Sequence, residues 1–113
     1  MHEMAFTQGI LHIALTEAAK HQAAKVLDIR IKVGVLTGLL PEFVQEYFNI
    51  VSVGTVAEQS RLSIEKVPAT IKCLNCGAAS ETEGFVFTCP TCNSNRIRLL
   101  GGREFYVDSL EVE

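Results

Sequence analysis

The sequence predicts an α+β fold, in which two helices lie on a three-stranded sheet and a four-cysteine domain interrupts the chain. Two segments carry apolar residues at helical spacing, and three others alternate apolar and polar residues as strands do. Two Cys-x2-Cys pairs stand between the second and third of these strands. The order helix, strand, helix, strand, cysteine segment, strand is typical of a small two-layer unit with one inserted domain.

The two predicted helices are recognised by their apolar residues. The first spans Met4 to Ala19, and we expect Met4 to continue its apolar stripe into the core, with polar residues such as Thr7 mostly elsewhere. The second begins at Pro41, which suits a first helical turn, and is stopped by Gly54. The apolar residues of this second helix are Phe43, Val44, Tyr47, Phe48, Ile50 and Val51.

Three strands complete the predicted α/β unit. The segment VLDIRIKVGVL, residues 26–36, alternates most clearly, and the glycines at 34 and 38 mark its exit. RLSIEKV at 61–67 is ended by Pro68, and REFYVDSLEVE at 103–113 is the third strand. We therefore predict an α/β domain of residues 1–69 with 101–113, and an inserted domain of residues 70–100.

Composition limits the classes of function. The chain has 113 residues, enough for one domain, and its formal charge of −3 argues against nucleic-acid binding driven by the phosphate backbone. No stretch approaches the roughly 20 apolar residues of a membrane span. Glu3 stands where the basic region of a signal peptide would lie. We expect a cytoplasmic protein with reduced thiols and with neither nucleic-acid nor membrane partners.

The cysteine spacing predicts a metal site. Two residues between thiolates let a tight turn aim both sulfurs at one ion, and two such turns complete a tetrahedron. Gly77 and Asn93, which follow the two pairs, suit backbone with positive φ. A site with four cysteine ligands has no open position for a reacting water, so the expected metal is structural zinc. The predicted ligands are Cys73, Cys76, Cys89 and Cys92.

Energetics support a metal in this segment. Ordering about twenty residues costs on the order of 30 kcal/mol, which the few large apolar side chains between residues 73 and 92 cannot offset. A structural zinc contributes roughly 10–16 kcal/mol in small sites. Two disulfides remain an alternative interpretation of the four cysteines. Iron in a rubredoxin-like site also remains open, because iron and zinc share four-sulfur geometry.

The first three residues, Met1, His2 and Glu3, form a second candidate metal site. The terminal amine, the His2 amide nitrogen and the His2 imidazole belong to one short chelating unit. Such a planar, nitrogen-rich set suits Ni(II) or Cu(II). Glu3 can add a fourth ligand through its amide or carboxylate, or orient the site from outside it. The alternative is an ordinary helix start, in which Glu3 interacts with the helix dipole.

Taken together, four segments resemble the HypA family, to which the HybF proteins also belong. They are MHEM at residues 1–4, GVLTGLLPEFVQEYFNIVSVGTVAE at 34–58, the pair CLNCG and CPTCNS, and GREFYVDSLEVE at 102–113. The resemblance covers essentially the whole chain. It implies a small α/β nickel-binding domain that carries a zinc domain. It also implies a nickel metallochaperone for maturation of nickel–iron hydrogenases, and in some organisms of urease.

The resemblance also implies site residues and partners. Nickel would be bound around Met1, His2 and Glu3 and would be cargo, whereas the four cysteines would hold structural zinc. The GTPase HypB would help to pass nickel to the hydrogenase large subunit, and urease accessory proteins would be further partners in some organisms. No enzyme activity is implied. Ala5, Phe6, Val35 and Asn93 depart from residues common in the family, but none of these departures removes a proposed ligand.

Two other classes of function compete with a metallochaperone. Four basic residues near the cysteines would suit a zinc-ribbon module that contacts nucleic acid or protein, although the acidic balance of the chain argues against nucleic acid. An enzyme is disfavoured because we find no paired carboxylates, nucleophile–base pair or phosphate-binding glycine loop. The basic residues concerned are Lys72, Arg96, Arg98 and Arg103.

Overall fold

The computed structural model describes residues 3–82 and 85–113, so Met1, His2, Glu83 and Gly84 lie outside the described residues. It confirms the α+β fold class. The elements are α1 (Glu3–Lys20), β1 (Val26–Gly34), a 3-10 turn (Val35–Thr37), α2 (Pro41–Val51), β2 (Arg61–Val67), β3 (Ala69–Cys73), β4 (Ala79–Thr82), β5 (Ile97–Gly101) and β6 (Phe105–Val112).

The strands form two three-stranded sheets, in the orders β2-β1-β6 and β4-β3-β5. The chain divides into two compact units. The helical unit comprises Met1–Lys32, Leu39–Glu65 and Tyr106–Glu113, and the cysteine unit comprises Val33–Gly38 and Lys66–Phe105. The domain boundaries expected from the sequence, 1–69 with 101–113 and 70–100, stay a prediction.

The core of the helical unit lies between the helices and one face of β1. Ile29 and Ile31 of β1 are buried while Arg30 between them is exposed, which is the alternation expected of a half-buried strand. Lys25, just before β1, and Glu113, just after β6, exchange two backbone hydrogen bonds of 2.8 and 3.4 Å. The start of β1 therefore lies beside the end of β6, as in an antiparallel pair. The other buried apolar residues of this unit are Ile10, Ala14, Ala18, Val26, Leu39, Val44, Phe48, Ala57 and Leu62.

The buried face of α1 differs from the predicted stripe at its first turns. Ile10 and Ala18 are buried as expected, but Met4 is exposed, whereas Glu3 and Thr7 are buried. The predictions that Met4 joins the core and that Thr7 lies elsewhere are therefore wrong. The buried series begins at Glu3 and continues at spacings of four and three, and Met4 lies beside it. Thr7 can occupy this face because its hydroxyl donates to the Glu3 carbonyl oxygen at 2.6 Å.

Helix α2 begins at Pro41 as predicted and ends at Val51, before the predicted stop at Gly54. Ser52 closes the helix by donating its N–H to the Phe48 carbonyl, and Gly54 follows in left-handed backbone with φ of 83°. Among the apolar residues that identified this helix, only Val44 and Phe48 are buried. The remaining apolar side chains therefore belong to partly or fully exposed surface.

Strand β1 ends at Gly34, two residues earlier than predicted, because the chain turns there against another backbone segment. The Gly34 N–H donates to the Glu104 carbonyl at 2.7 Å, and the Leu36 N–H donates to the Gly102 carbonyl at 2.8 Å. A Cβ atom added to Gly34 would overlap the Gly102 carbonyl group. Gly102 itself has φ of 119°, a region that favours glycine. Two glycines thus permit the close approach of these segments.

The sheet of the cysteine unit was not predicted strand by strand. β3 pairs antiparallel with both β4 and β5, and Ile71 faces Ser80 on one side and Leu99 on the other. Ala69, Ile71 and Cys73 are buried while the residues between them are not. These strands are short, and only β3 has a clear apolar alternation, so periodicity gave little signal.

The glycine contact gives a stability prediction. We expect Gly34→Ala to lower the free energy of unfolding by about 3 kcal/mol, because the new methyl group overlaps backbone that cannot move freely. Gly9→Ala is the matched control, since a Cβ at Gly9 meets nothing within 4 Å and lies inside α1. That variant should gain about 0.5–1 kcal/mol. Urea unfolding measures both, and an unchanged Gly34→Ala protein would contradict the packing described.

Candidate metal centres

The first cysteine pair lies in a turn at the end of β3. The Cys73 N–H donates to the Ala78 carbonyl at 2.8 Å, and the Gly77 N–H donates to the Cys73 carbonyl at 3.0 Å. The N–H groups of Asn75 and Cys76 both point at the Cys73 sulfur, at 3.3 Å. Gly77 has φ of 79°, as its position after the pair predicted. The turn therefore holds the two sulfurs on one side of the chain.

The second pair repeats this arrangement. The Cys89 N–H donates to the Ser94 carbonyl at 2.8 Å, and the Asn93 N–H donates to the Cys89 carbonyl at 2.8 Å. Asn93 has φ of 62°, so the predicted left-handed residue is confirmed in this turn too. Asparagine accepts this backbone more readily than most residues because its short polar side chain fits it. Two turns of the same form thus present two cysteines each.

The four sulfur atoms converge on one point. All four lie within 4.8 Å of one another, with Cys73 Sγ to Cys92 Sγ at 3.6 Å and Cys76 Sγ to Cys89 Sγ at 3.7 Å. A zinc–sulfur bond of about 2.3 Å in a tetrahedron requires sulfurs about 3.8 Å apart. Disulfide sulfurs would be about 2.05 Å apart, and all four cysteines are free thiols. The set fits one tetrahedral ion and does not fit two disulfides.

Backbone hydrogen bonds favour the thiolate form at two of the four positions. The N–H of Cys76, helped by that of Asn75, lowers the pKa of the Cys73 thiol to about 6, although burial acts in the opposite direction. The N–H of Cys92 likewise lowers the pKa of Cys89. A cysteine binds metal as the thiolate, so these donors prepare both sulfurs for a cation.

At Cys76 the nearby thiols oppose formation of the thiolate. The Ala78 N–H lowers the pKa of Cys76, but the neighbouring thiols, Cys89 first, and burial outweigh it and raise the pKa to about 11. Sulfurs this close compete for negative charge because each ionised group disfavours ionisation of the next. A bound cation removes that competition. The donor set therefore fits a cation that stabilises several thiolates at once.

Burial divides the site into a closed and an open side. Cys73 and Cys89 are buried, whereas Cys76 and Cys92 are exposed. The Asn75 side-chain amide approaches the exposed Cys92 sulfur, with its nitrogen 3.8 Å away. Sequence spacing did not indicate this contact, because any residue fits between the two cysteines of a pair. Asn75 therefore supports the site from outside the four sulfurs.

At the N-terminus the structure places one of the three candidate nickel residues. Met1 and His2 lie outside the described residues, so their part in a nickel site stays a prediction. Glu3 is 7% exposed, and its Oε2 accepts a hydrogen bond from the Leu40 N–H at 3.4 Å. Leu40 is the residue before α2 and provides no side-chain cap of its own. The Glu3 carboxylate therefore joins the start of α1 to the start of α2, where negative charge is favourable.

The described residues offer no second cluster of metal ligands. Among them, the four cysteines are the only group of three or more His, Cys, Asp or Glu side chains close enough to share an ion. His12 and His21 are both exposed. No helix within the described residues is long and apolar enough to cross a bilayer.

Comparisons with known proteins match this chain over essentially its whole length. A family model described as "Hydrogenase/urease nickel incorporation, metallochaperone, hypA" matches residues 1–112. A hydrogenase maturation factor HypA from Caldanaerobacter subterraneus subsp. tengcongensis is 40% identical over 114 residues, covering 100% of both chains. The same factor from Moorella thermoacetica is 34% identical over 113 residues, again covering 100% of both chains.

Two solved structures share the fold. The solution structure of the nickel metallochaperone HypA from Helicobacter pylori has a TM-score of 0.68 and 19% identity, and covers 99% of this chain and 97% of that one. A second solution structure, of a protein named HypA, has a TM-score of 0.74 and 20% identity, and covers 100% of this chain and 97% of that one. At these identities the likeness concerns the fold alone.

The convergence of the sulfurs gives the second prediction. Cys89→Ser should reduce bound zinc from about one ion per chain to near zero, because three thiolates and a hydroxyl hold zinc far more weakly. Amide signals of β3–β5 should then collapse in NMR spectra, because we expect a bound ion to supply much of that unit's stability. Thr91→Ser, in the same turn, is the control and should keep its zinc. Full zinc content in Cys89→Ser would contradict the site.

Proposed function

Since the chain belongs to the HypA family of nickel-incorporation metallochaperones, we propose that it binds Ni(II) at its N-terminus and delivers it to a nickel enzyme. The observation that carries this proposal is the family match over residues 1–112, which includes the Met-His-Glu start. Delivery requires no bond-making catalysis by the protein. We accordingly propose that the chain acts as a carrier and not as an enzyme.

The proposed nickel ligands are the Met1 amine, the His2 amide nitrogen and imidazole, and the Glu3 main-chain nitrogen. Helix α1 begins at Glu3, and the first N–H groups of a helix have no acceptor within it. The main-chain nitrogen of Glu3 is therefore free of the helix's own hydrogen bonds, and, like the His2 amide nitrogen, it would bind nickel by releasing its N–H proton to solvent. Its carboxylate already accepts the Leu40 N–H, which supports an orienting role from outside the coordination sphere.

We propose structural zinc for the four-cysteine site, held by Cys73, Cys76, Cys89 and Cys92. Sulfur separations near 3.7 Å support a tetrahedral ion, and zinc is the usual occupant of paired Cys-x2-Cys turns. Iron has the same geometry, and a coloured protein would identify it. We further propose that residues 1–69 with 101–113 make the nickel-binding domain and residues 70–100 the zinc-binding domain.

The proposed partners follow from the family. HypB, a GTPase, would assist transfer of nickel to the hydrogenase large subunit, and urease accessory proteins would take part where urease is matured. A formal charge of −3 supports protein partners over nucleic acid. We propose a cytoplasmic location, where reduced thiols persist and these maturation steps take place.

Calorimetry with nickel on untagged protein tests the ligand set. His2→Ala should weaken binding by about 100-fold or more, because one chelate ring is lost. One residue added before Met1 should have a similar effect, since it displaces the amine from the chelate. His12→Ala is the matched control, as an exposed histidine of α1 outside the proposed site. If all variants bind nickel equally well while retaining zinc, the N-terminal site is wrong.

The same ligand set predicts a pH dependence. The amine and the imidazole coordinate only when deprotonated, so protons compete with nickel for them. Nickel affinity should therefore fall steadily when the pH is lowered from about 8 to about 6, across the usual range of these two groups. Titrations at several pH values measure this. An affinity independent of pH would exclude an amine and an imidazole as ligands.

A further inference from the structure

Helix α2 presents two apolar faces, and among the described residues only one of them is buried. Val44 and Phe48 face the core and are buried against the helical unit. A second set of apolar side chains, three and four residues apart, lies on the neighbouring side of the helix. This exposed stripe consists of Leu40, Phe43, Tyr47 and Ile50.

The stripe is more exposed than large apolar side chains usually are. Ile50 is 68% exposed, Leu40 44% and Phe43 42%, and Tyr47 is half-buried. The rings of Phe43 and Tyr47 stack with their centroids 6.5 Å apart, so they form one continuous surface. Single exposed apolar residues are common, but a row of them with aromatic rings is typical of a protein-binding surface.

The charged residues beside the stripe indicate what kind of partner would cover it. Glu42 and Glu46, one helical turn apart, are exposed on α2 beside the stripe, and the helix contains no lysine or arginine. A second copy of the same face would bring its own glutamates to this acidic border. A partner with an apolar groove bordered by Lys or Arg would instead be complementary to it.

The stripe begins at the proposed nickel site. Leu40, its first residue, donates its N–H to the Glu3 carboxylate at 3.4 Å. His2 and Met1 precede Glu3 directly in the chain. Ligand exchange requires the receiving groups to approach within bonding distance of the ion. A protein docked on this stripe therefore has its contact surface next to Glu3, the residue that directly follows the other proposed nickel ligands in the chain.

From these observations we propose that the α2 stripe is the docking surface for the protein that receives nickel, which would contact it with an apolar groove bordered by basic residues. The proposal rests on the proposed nickel-delivery function. Docking covers Leu40 and so acts on the hydrogen bond that holds Glu3. The same contact then brings the recipient's ligands to the terminus and alters the residue that orients the donor site.

The test uses the nickel-free large subunit of the hydrogenase from the same organism as the probe, with full-length nickel-loaded protein. Phe43→Ser and Ile50→Ser each remove an apolar anchor from surface, where the folding cost is small. Val53→Ser is the matched control, because Val53 is 64% exposed but lies after α2 and outside the stripe. Nickel affinity, affinity for the large subunit and the rate of nickel transfer are measured for each.

We expect Phe43→Ser and Ile50→Ser to bind nickel as the unmodified protein does, but to bind the large subunit about 30-fold more weakly. Transfer should slow in proportion, and Val53→Ser should behave normally. Glu42→Gln combined with Glu46→Gln should reduce the salt dependence of docking.

Equal binding and transfer by all the stripe variants would overturn the inference. So would a change limited to self-association, seen by sedimentation, because the stripe would then join two copies of this chain. If the unmodified protein neither binds nor transfers nickel, the proposed function itself fails, and that result is distinct from an effect of the stripe variants alone.

Discussion

The cysteine unit depends on the convergence of four sulfur atoms on one point. Its strands are short, and Ile71 is the only large apolar side chain of β3–β5 that is fully buried. Leu74, Phe85 and Val86, which are among the few large apolar side chains between residues 73 and 92, are exposed. The two turns direct their backbone N–H groups to sulfur and to carbonyls of the same turn. We therefore propose that an ion at the centre supplies much of the stability of this unit.

The two proposed metal sites differ in their ligands and in whether they retain or release the ion. In the proposed zinc site, four thiolates from two turns would enclose an ion that stays in place, and two of the four cysteines are buried. The proposed N-terminal set uses nitrogen ligands, which we expect to exchange one at a time when nickel is delivered. Glu3 links the proposed nickel ligands to the folded helical unit. Its carboxylate accepts a hydrogen bond from Leu40, and the two residues before it carry the proposed first ligands.

Much of this could be predicted from the sequence. The cysteine spacing indicated the cluster and both left-handed residues, Gly77 and Asn93, because local turn geometry decides them. Helical and strand periodicity indicated the elements of the helical unit to within a few residues. These features are determined by residues close together in the chain, so they can be predicted from local sequence patterns.

Features that depend on distant contacts could not be predicted. Met4 was predicted to lie in the core but is exposed, because the buried face of α1 runs through Glu3 and Thr7 instead. The contact between Glu3 and Leu40 joins residues 37 positions apart and leaves no local signal. The exposed stripe of α2 could not be predicted either. Helical spacing of apolar residues indicates a helix, but it does not show which of those residues are buried.

X-ray absorption at the nickel and zinc edges of one doubly loaded sample distinguishes the two proposed sites directly, namely a structural zinc site and a nickel-delivery site of different chemistry. We expect nitrogen and oxygen around nickel, including an imidazole, and four sulfurs at about 2.3 Å around zinc. Sulfur ligands at nickel would contradict this assignment, because the ion to be delivered would then occupy the cysteine site.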